Sequence, residues 1–396
     1  MEPQVTNHDA TLTPPSTHGL RFKGTGKEYF GIWIVNVLLS IITLGIYSAW
    51  AKVRSKRYFY GNTQLAGDHF EYLATPMQIL IGRIIAVAAL ACWSLLNNLQ
   101  PVVAGVVALI FVCFIPVLAV RNLRFDARMS RFRNVCFDFK GGYVEAYKVM
   151  FFYPLLGYLA VSVVVGIVGV IFFNPRTLIL AIVLGSIVGL AAMVWAYAWV
   201  TAALHRYIMN NYWYGNQAFS AEIQQGQFLR IALAAALVFV VLVAVLLAVL
   251  GVTGVFSLSS LSSLTTGGTE SVADIYTLMI VCYVAFALVG VIISSYSRAR
   301  VHNYVLSQTR VADLALSSRM PVWGYVGLVL TNVLLTVCTL GLAYPWVRVR
   351  SVRYVSEALA VQGDLSLQQV HGSAGQGQVA IADELSNAFN IEVGAF

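Results

Sequence analysis

Charged residues are scarce in this sequence. Asp, Glu, Lys and Arg make up 11% of its 396 residues, whereas hydrophobic residues make up 59%. A soluble domain carries about 25% charged residues, and the mean hydropathy is +0.76. The composition excludes an ordinary soluble enzyme and predicts an α-helical polytopic membrane protein. In such a chain, the net charge of +8 points to anionic lipid and not to nucleic acid.

The sequence also lacks motifs typical of metal, disulfide or phosphate-binding sites. The five cysteines form no CxxC pair and the six histidines are scattered, so neither a metal site nor a disulfide framework is predicted. The stretch Gly24-Thr25-Gly26-Lys27 does not have the spacing of a phosphate-binding loop. We therefore expect no cofactor, no metal and no enzymatic activity.

Six apolar runs are long enough to cross a bilayer, which takes about 20 helical residues. They cover residues 77–97, 102–120, 149–173, 177–204, 229–255 and 275–297. The linkers within successive pairs hold a single basic residue, Arg176, whereas the connections between pairs are rich in Lys and Arg. Because basic loops mark the cytoplasmic side, the pattern predicts six transmembrane helices in three hairpins.

The first and last apolar runs, 30–51 and 322–347, have two interpretations. If each crossed once, both termini and many basic residues would lie outside the cell. If each bends at its Thr-Leu-Gly, both termini are cytoplasmic and every basic residue except Arg176 faces the cytoplasm. We expect two short re-entrant hairpins with bends at Gly45 and Gly341. Each half would be about 18 Å long. Eight full spans are the alternative.

These two runs belong to a repeated block. Residues 36–58 read NVLLSIITLGIYSAWAKVRSKRY and residues 332–354 read NVLLTVCTLGLAYPWVRVRSVRY. The fixed spacing indicates internal repeats. A looser unit of strand, turn, helical hairpin and basic helix end occurs five times. Its strand-like segments predict a small cytoplasmic β layer, and they are 20–24, 63–72, 135–140, 217–223, 309–316 and 359–368.

The N-terminal part of this pattern is distinctive. Residues 21–72 read RFKGTGKEYFGIWIVNVLLSIITLGIYSAWAKVRSKRYFYGNTQLAGDHFEY. This stretch resembles the YjgN-like family of bacterial inner-membrane proteins, and the similarity extends over residues 20–370. The resemblance implies a multi-pass protein of the bacterial inner membrane. It implies no substrate, reaction or catalytic residue, because the family is one of unknown function.

The candidate site residues come from the repeated block. Arg54 and Arg57 follow Trp50, and Arg350 and Arg353 follow Trp346, at a spacing that places each arginine pair on one helical face. One interpretation is a membrane-interface anchor, with Trp at headgroup depth and Arg reaching to phosphate. The other is a binding site for an anion or lipid headgroup, because guanidinium groups bind phosphate in bidentate fashion.

Two asparagines, Asn36 and Asn332, lie at mid-membrane positions of the terminal runs. Such amides usually join helices; a pore or ligand contact is the alternative. No helix centre carries Asp, Glu, Lys or His, which disfavours an ion-driven pump. Two hypotheses follow: transport or translocation of a lipid or small anionic solute, and a non-transporting scaffold or regulator whose β layer binds a cytoplasmic partner.

The expected organisation has three parts. Residues 1–19 are a disordered tail, residues 20–370 form the repeat-built membrane domain, and residues 371–396 are a C-terminal tail. The expected partners are membrane lipids with anionic headgroups, while a protein partner and the oligomeric state stay open. We expect both termini in the cytoplasm.

Overall fold

The fold is a five-fold repetition of one unit: a strand, two helices and a second strand. The computed structural model describes residues 16–171, 178–252 and 269–364. The linkers 172–177 and 253–268 and both predicted tails, apart from residues 16–19, lie outside the described residues. Strand β1 begins at Thr17, so the folded part includes three residues that were predicted as tail.

The strands and helices of the five units follow in chain order. The strands are β1 (Thr17–Phe22), β2 (Thr63–Leu65), β3 (Asp68–Tyr72), β4 (Ser130–Phe132), β5 (Val135–Phe139), β6 (Tyr212–Tyr214), β7 (Gln217–Ala221), β8 (Thr309–Val311), β9 (Leu314–Ser318) and β10 (Leu359–Gln362). The helices are α1 (Gly26–Ile42), α2 (Ser48–Asn62), α3 (Pro76–Leu99), α4 (Pro101–Arg128), α5 (Tyr143–Ile171), α6 (Leu178–Asn210), α7 (Gln225–Val252), α8 (Thr269–Ser307), α9 (Val322–Cys338) and α10 (Tyr344–Glu357). Unit 1 runs from β1 to β2, and unit 5 from β9 to β10.

The ten strands close into an antiparallel barrel in sequence order, because β1 pairs with both β2 and β10. The prediction of a small β layer was therefore wrong in its form, since the strands close on themselves. Closure removes the unpaired edges that an open sheet would present. Six strand-like segments were expected. The segments 63–72 and 309–316 each hold two strands, and the three-residue strands β4 and β6 are too short to show a pattern.

Two tight turns join neighbouring strands of the barrel, β2 to β3 and β4 to β5. Ala66 and Gly67 have φ of 51° and 93°, and Arg133 and Asn134 have φ of 47° and 62°. Positive φ at both central residues is typical of the type I′ turn, whose twist matches that of antiparallel strands.

Side chains fill the barrel interior. Phe70 stacks on Phe132 with ring centroids 4.7 Å apart, and Phe137 lies 4.9 Å from Tyr214. The aliphatic residues Leu65, Leu314 and Val361 pack in the same cluster. The barrel is therefore a packed core, as small barrels generally are.

Six helices, α3 to α8, are long and apolar enough to cross a membrane. Their number equals that of the predicted spans, and the mostly helical structure agrees with the prediction of a polytopic membrane protein. Successive helices contact each other, and α10 contacts α1, so the ten helices of the described residues form a ring that stands on the barrel.

The remaining helices form two short hairpins, α1–α2 and α9–α10. The first helix of each ends just before the Thr-Leu-Gly sequence. Gly45 and Gly341 have φ of 91° and 88°, and their amides donate to the carbonyl oxygens of Ser40 and Thr336. Both ends of each hairpin lie in the barrel, since β1 pairs with β2 and β9 pairs with β10.

The helices of the short hairpins are longer than predicted. Helices α1 and α9 have 17 residues each, and α2 and α10 have 15 and 14. At 1.5 Å per residue, α1 is about 25 Å long and not 18 Å. The reason is that α1 already begins at Gly26 and α2 continues to Asn62, beyond the apolar run on both sides.

Candidate functional site: the unit junctions and the basic helices

One polar contact joins each unit to the next. Its donor stands six residues before the second strand of a unit, and its acceptor is the backbone carbonyl two residues after the first strand of the following unit. The five pairs are Arg57 with Ala74 (3.0 Å), Arg124 with Gly141 (3.3 Å), Arg206 with Ile223 (2.7 Å), Asn303 with Met320 (2.8 Å) and Arg353 with Gly24 (2.8 Å). The last pair closes the ring between unit 5 and unit 1.

The residue that follows each junction donor makes a contact within its own unit. Four phenol groups hydrogen-bond to the backbone where the first helix of their own unit begins. They belong to Tyr58 (at Thr25), Tyr207 (at Gly142), Tyr304 (at Gln224) and Tyr354 (at Pro321). Unit 2 has Phe125 in this place, buried against Tyr72 and Ala74. Sequence reasoning missed this set, although a dipeptide of Arg or Asn before Tyr or Phe recurs in all five units.

The predicted tryptophans also lie between units. Trp50 packs against the cluster of Ala49, Val53 and Ile79, and Ile79 belongs to α3. The indole of Trp346 lies 5.0 Å from the ring of Phe30 and leaves no room for a Cβ atom at Gly26. Each Trp of the repeated block therefore packs at the first helix of the following unit.

The four predicted arginines are not brought to one point. Arg57 and Arg353 bind the carbonyl oxygens described above. Arg350 donates to Thr331 Oγ1 at 2.9 Å and approaches Asn332 Oδ1 at 3.4 Å. Arg54 is exposed. The arginines thus lie on two helices, α2 and α10, on either side of α1.

Both predicted asparagines are buried, with exposed fractions of 4% for Asn36 and 6% for Asn332. The Asn332 amide donates to Ser351 Oγ at 3.0 Å, which joins α9 to α10. Neither side-chain atom of Asn36 has a hydrogen-bond partner. The duplicated hairpins therefore differ at this position.

The helices α2 and α10, which we call the basic helices, differ from their apolar hairpin partners. They hold seven Lys and Arg residues and one acidic residue, Glu357. The basic residues are Lys52, Arg54, Lys56, Arg57, Arg348, Arg350 and Arg353. Five of the seven are exposed. Lys56 pairs with Asp126 at 2.7 Å.

The outer face of the barrel carries further ion pairs on strands β3 to β5. Arg131 pairs with Glu71, Arg133 with Asp68, and Arg128 with Asp138. Desolvation by burial raises the pKa of Tyr214 to about 12, so at neutral pH its phenol remains a donor to the Phe132 carbonyl oxygen at 3.0 Å. Within residues 16–171, 178–252 and 269–364, no group of three His, Cys, Asp or Glu side chains is placed to hold a metal ion.

Sequence comparison identifies relatives of the chain. The sequence model of a family described as "bacterial protein of unknown function (DUF898)" matches residues 17–388. A protein of Salmonella typhimurium named "Inner membrane protein YjgN" is 28% identical over 357 residues, which cover 88% of this chain and 89% of the relative. The proteins of that name from Escherichia coli K12 and O157:H7 are each 24% identical over 363 residues, with the same coverage.

No solved structure matches the chain. The family match covers the barrel, the helical ring and both short hairpins. The chain therefore belongs to the family of bacterial proteins of unknown function, DUF898, that includes the YjgN inner-membrane proteins.

Proposed function

We propose that the protein is a bacterial inner-membrane protein that binds anionic phospholipid at its basic helices and assists the translocation of lipid. The observation that carries this proposal is the position of α2 and α10. They run into strands β2 and β10 of the packed barrel and carry five exposed basic side chains beside the apolar helices α1 and α9. A basic segment beside a membrane attracts anionic lipid by about 1 kcal/mol per Lys or Arg.

The proposed topology places the barrel in the cytoplasm and has the two short hairpins enter the membrane from that side without crossing it. Support comes from the return of each hairpin to the barrel and from the basic residues near it, because Lys and Arg mark the cytoplasmic side. The bend residues Leu44 and Leu340 are each 94% exposed, which suits a tip surrounded by acyl chains. The name of the relatives supports the inner membrane as the location.

Lipid fits the apolar character of the described helices better than a hydrophilic solute does. The packed aromatic core blocks passage along the barrel axis. A groove of about 580 Å³ between α5 and α6 is lined by apolar and small residues, among them Val161, Val165, Gly185 and Gly189. Its volume is in the range of small-molecule sites, and its lining suits an acyl chain.

The test uses purified full-length protein in vesicles of phosphatidylglycerol and phosphatidylcholine. We expect tighter binding to the anionic lipid and faster transfer of a fluorescent phospholipid between leaflets than in protein-free vesicles. A triple variant, Arg54→Gln, Arg348→Gln and Arg350→Gln, should weaken the anionic preference. Arg310→Gln is a control on the outer face of the barrel, where Arg310 is exposed. Folded wild-type protein without any lipid preference would refute the proposal.

The alternative function is a scaffold or regulator that binds a cytoplasmic partner. The closed barrel argues against docking by strand addition, because every described strand already has two neighbours. Such a partner would have to bind the outer face of the barrel. Cross-linking that recovers a specific cytoplasmic protein, in the absence of any lipid effect, would favour this alternative.

A further inference from the structure

The two short hairpins hold equivalent asparagines in different states. In unit 5, the Asn332 carboxamide donates to Ser351 and lies 3.4 Å from Arg350 Nη1. In unit 1, Asn36 is equally buried, yet its Oδ1 and Nδ2 atoms have no partner. A buried amide without hydrogen bonds destabilises a protein, so the unit 1 arrangement needs an explanation.

The neighbouring residues explain why the amide of Asn332 in unit 5 has hydrogen-bond partners. Arg350 is fixed by the hydroxyl of Thr331, but the corresponding position in unit 1 is Val35, which offers no acceptor. The counterpart of Ser351 is Ser55, which hydrogen-bonds to Tyr29. Consequently Asn36 lacks the serine that Asn332 uses, and Arg54 lacks the hydroxyl that holds Arg350.

We propose that Asn36 and Arg54 bind the headgroup of an anionic glycerophospholipid, with a headgroup hydroxyl at Asn36 and the phosphate at Arg54. This inference rests on the proposed function and assigns its site to unit 1. The equivalent pair, Asn332 and Arg350, lies within contact distance, so a headgroup is large enough to bridge the two positions in unit 1.

The hydrogen-bonding capacity of the two unpartnered Asn36 atoms, Oδ1 and Nδ2, indicates the class of ligand. Asn36 offers one acceptor and one donor group, and a hydroxyl satisfies both because it donates and accepts. Since Asn36 is 4% exposed, its amide excludes a bulky charged group such as the phosphate itself. The phosphate stays at the exposed guanidinium, which suits phosphate geometry. Phosphatidylglycerol carries both groups, whereas phosphatidic acid has the charge without a headgroup hydroxyl.

The test measures binding of phosphatidylglycerol, phosphatidic acid and phosphatidylcholine to the full chain in detergent by native mass spectrometry. We expect phosphatidylglycerol to bind best. Asn36→Leu should weaken its binding about tenfold, the value of one charge-assisted or two neutral hydrogen bonds. Arg54→Gln should weaken phosphatidylglycerol and phosphatidic acid alike. Arg310→Gln controls for the loss of one charge.

The unfolding midpoint separates a ligand site from a structural role. Asn36→Leu should leave the midpoint unchanged or raise it, because no protein hydrogen bond is lost. Asn332→Leu should lower it, because Ser351 loses its partner. If Asn36→Leu binds phosphatidylglycerol like the wild type, the inference is overturned and the amide holds at most a water molecule. If the wild type binds the three lipids equally, the proposed function itself fails.

Discussion

Arg353 donates to the carbonyl oxygen of Gly24 at 2.8 Å and joins positions 329 residues apart. The same contact occurs at the four other junctions, where it links neighbouring units. At this junction it links the last unit to the first, together with the pairing of β1 and β10. The repeated block therefore contains the residue that closes the ring.

We predict that Arg353→Met destabilises the protein by about 1.5–3 kcal/mol, because a hydrogen bond from a charged donor is lost and the methylene stem is kept. Arg57→Met should have a similar effect at the junction of units 1 and 2. Arg54→Met is the matched control, since Arg54 belongs to the same repeated block and is not the donor of a junction contact. Thermal unfolding in detergent measures all three, and equal midpoints for the three variants would contradict this role of the junction.

The tyrosines of the junctions give a second prediction. Tyr58 both accepts from the Thr25 amide at 2.8 Å and donates to its carbonyl oxygen at 3.0 Å. Tyr58→Phe should lower stability by about 1 kcal/mol or slightly more, since these hydrogen bonds are lost without a cavity. Tyr283→Phe is the control, because Tyr283 is 77% exposed on α8. A smaller loss for Tyr58→Phe than for Tyr283→Phe would show that the phenol does not fasten the unit.

Hydrophobic runs and basic loops were sufficient to predict the six spans and their pairing. Period-two alternation located parts of the strands, since Leu20, Phe70 and Phe137 face the barrel interior. Closure was not predictable, because it depends on β1 and β10 meeting across the whole chain. The three-residue strands β4 and β6 are too short for any periodic signal.

The candidate site residues were chosen for their type and spacing, which give no information on the partners of each side chain. Trp346 and Arg353 contact Phe30 and Gly24 of another unit, and sequence spacing contains no distance across units. The sequence also contains no indication that Asn36 and Asn332 differ in their hydrogen bonding. This difference depends on Val35 in place of Thr331 and on the contact of Ser55 with Tyr29, neither of which alters the repeated pattern.

The hairpin bends give a third prediction. Gly341 has φ of 88°, a backbone conformation that L side chains rarely adopt. Gly341→Ala should destabilise the protein by about 1 kcal/mol or more. Gly31→Ala is the matched control within α1, where a Cβ atom meets nothing within 4 Å, and it should stabilise by about 0.5–1 kcal/mol. Circular dichroism melts of the two variants should show opposite shifts of the unfolding midpoint. A lower midpoint for Gly31→Ala would contradict the assignment of Gly31 to an unobstructed helical position.

Alkaline pH provides a fourth prediction. Burial raises the pKa of Tyr214 to about 12 and raises that of Tyr72 as well. Above about pH 10, the unfolded chain releases these protons while the folded barrel retains them, so deprotonation favours unfolding. The contribution is fully present below pH 10 and is lost as the pH rises toward 12. Tyr214→Phe should reduce the slope of the unfolding midpoint between pH 9 and pH 11, and an unchanged slope would exclude Tyr214 as a cause.

The fifth prediction concerns the membrane position of the short hairpins. In a chain whose five native cysteines are replaced by alanine, single cysteines are placed at three sites. Leu44 is 94% exposed at a hairpin tip, Leu99 is 79% exposed at the end of α3 away from the barrel, and Thr17 begins the barrel. A membrane-impermeant maleimide is then applied to intact cells and to inverted membrane vesicles.

We expect Leu99→Cys to react in intact cells and Thr17→Cys to react only in inverted vesicles. Leu44→Cys should react in neither, because a re-entrant tip lies within the hydrocarbon, where thiolate formation and reagent access are both suppressed. Labelling of Leu44→Cys in intact cells would show that the hairpin reaches the far surface. Labelling of Thr17→Cys in intact cells would place the barrel outside and reverse the proposed orientation.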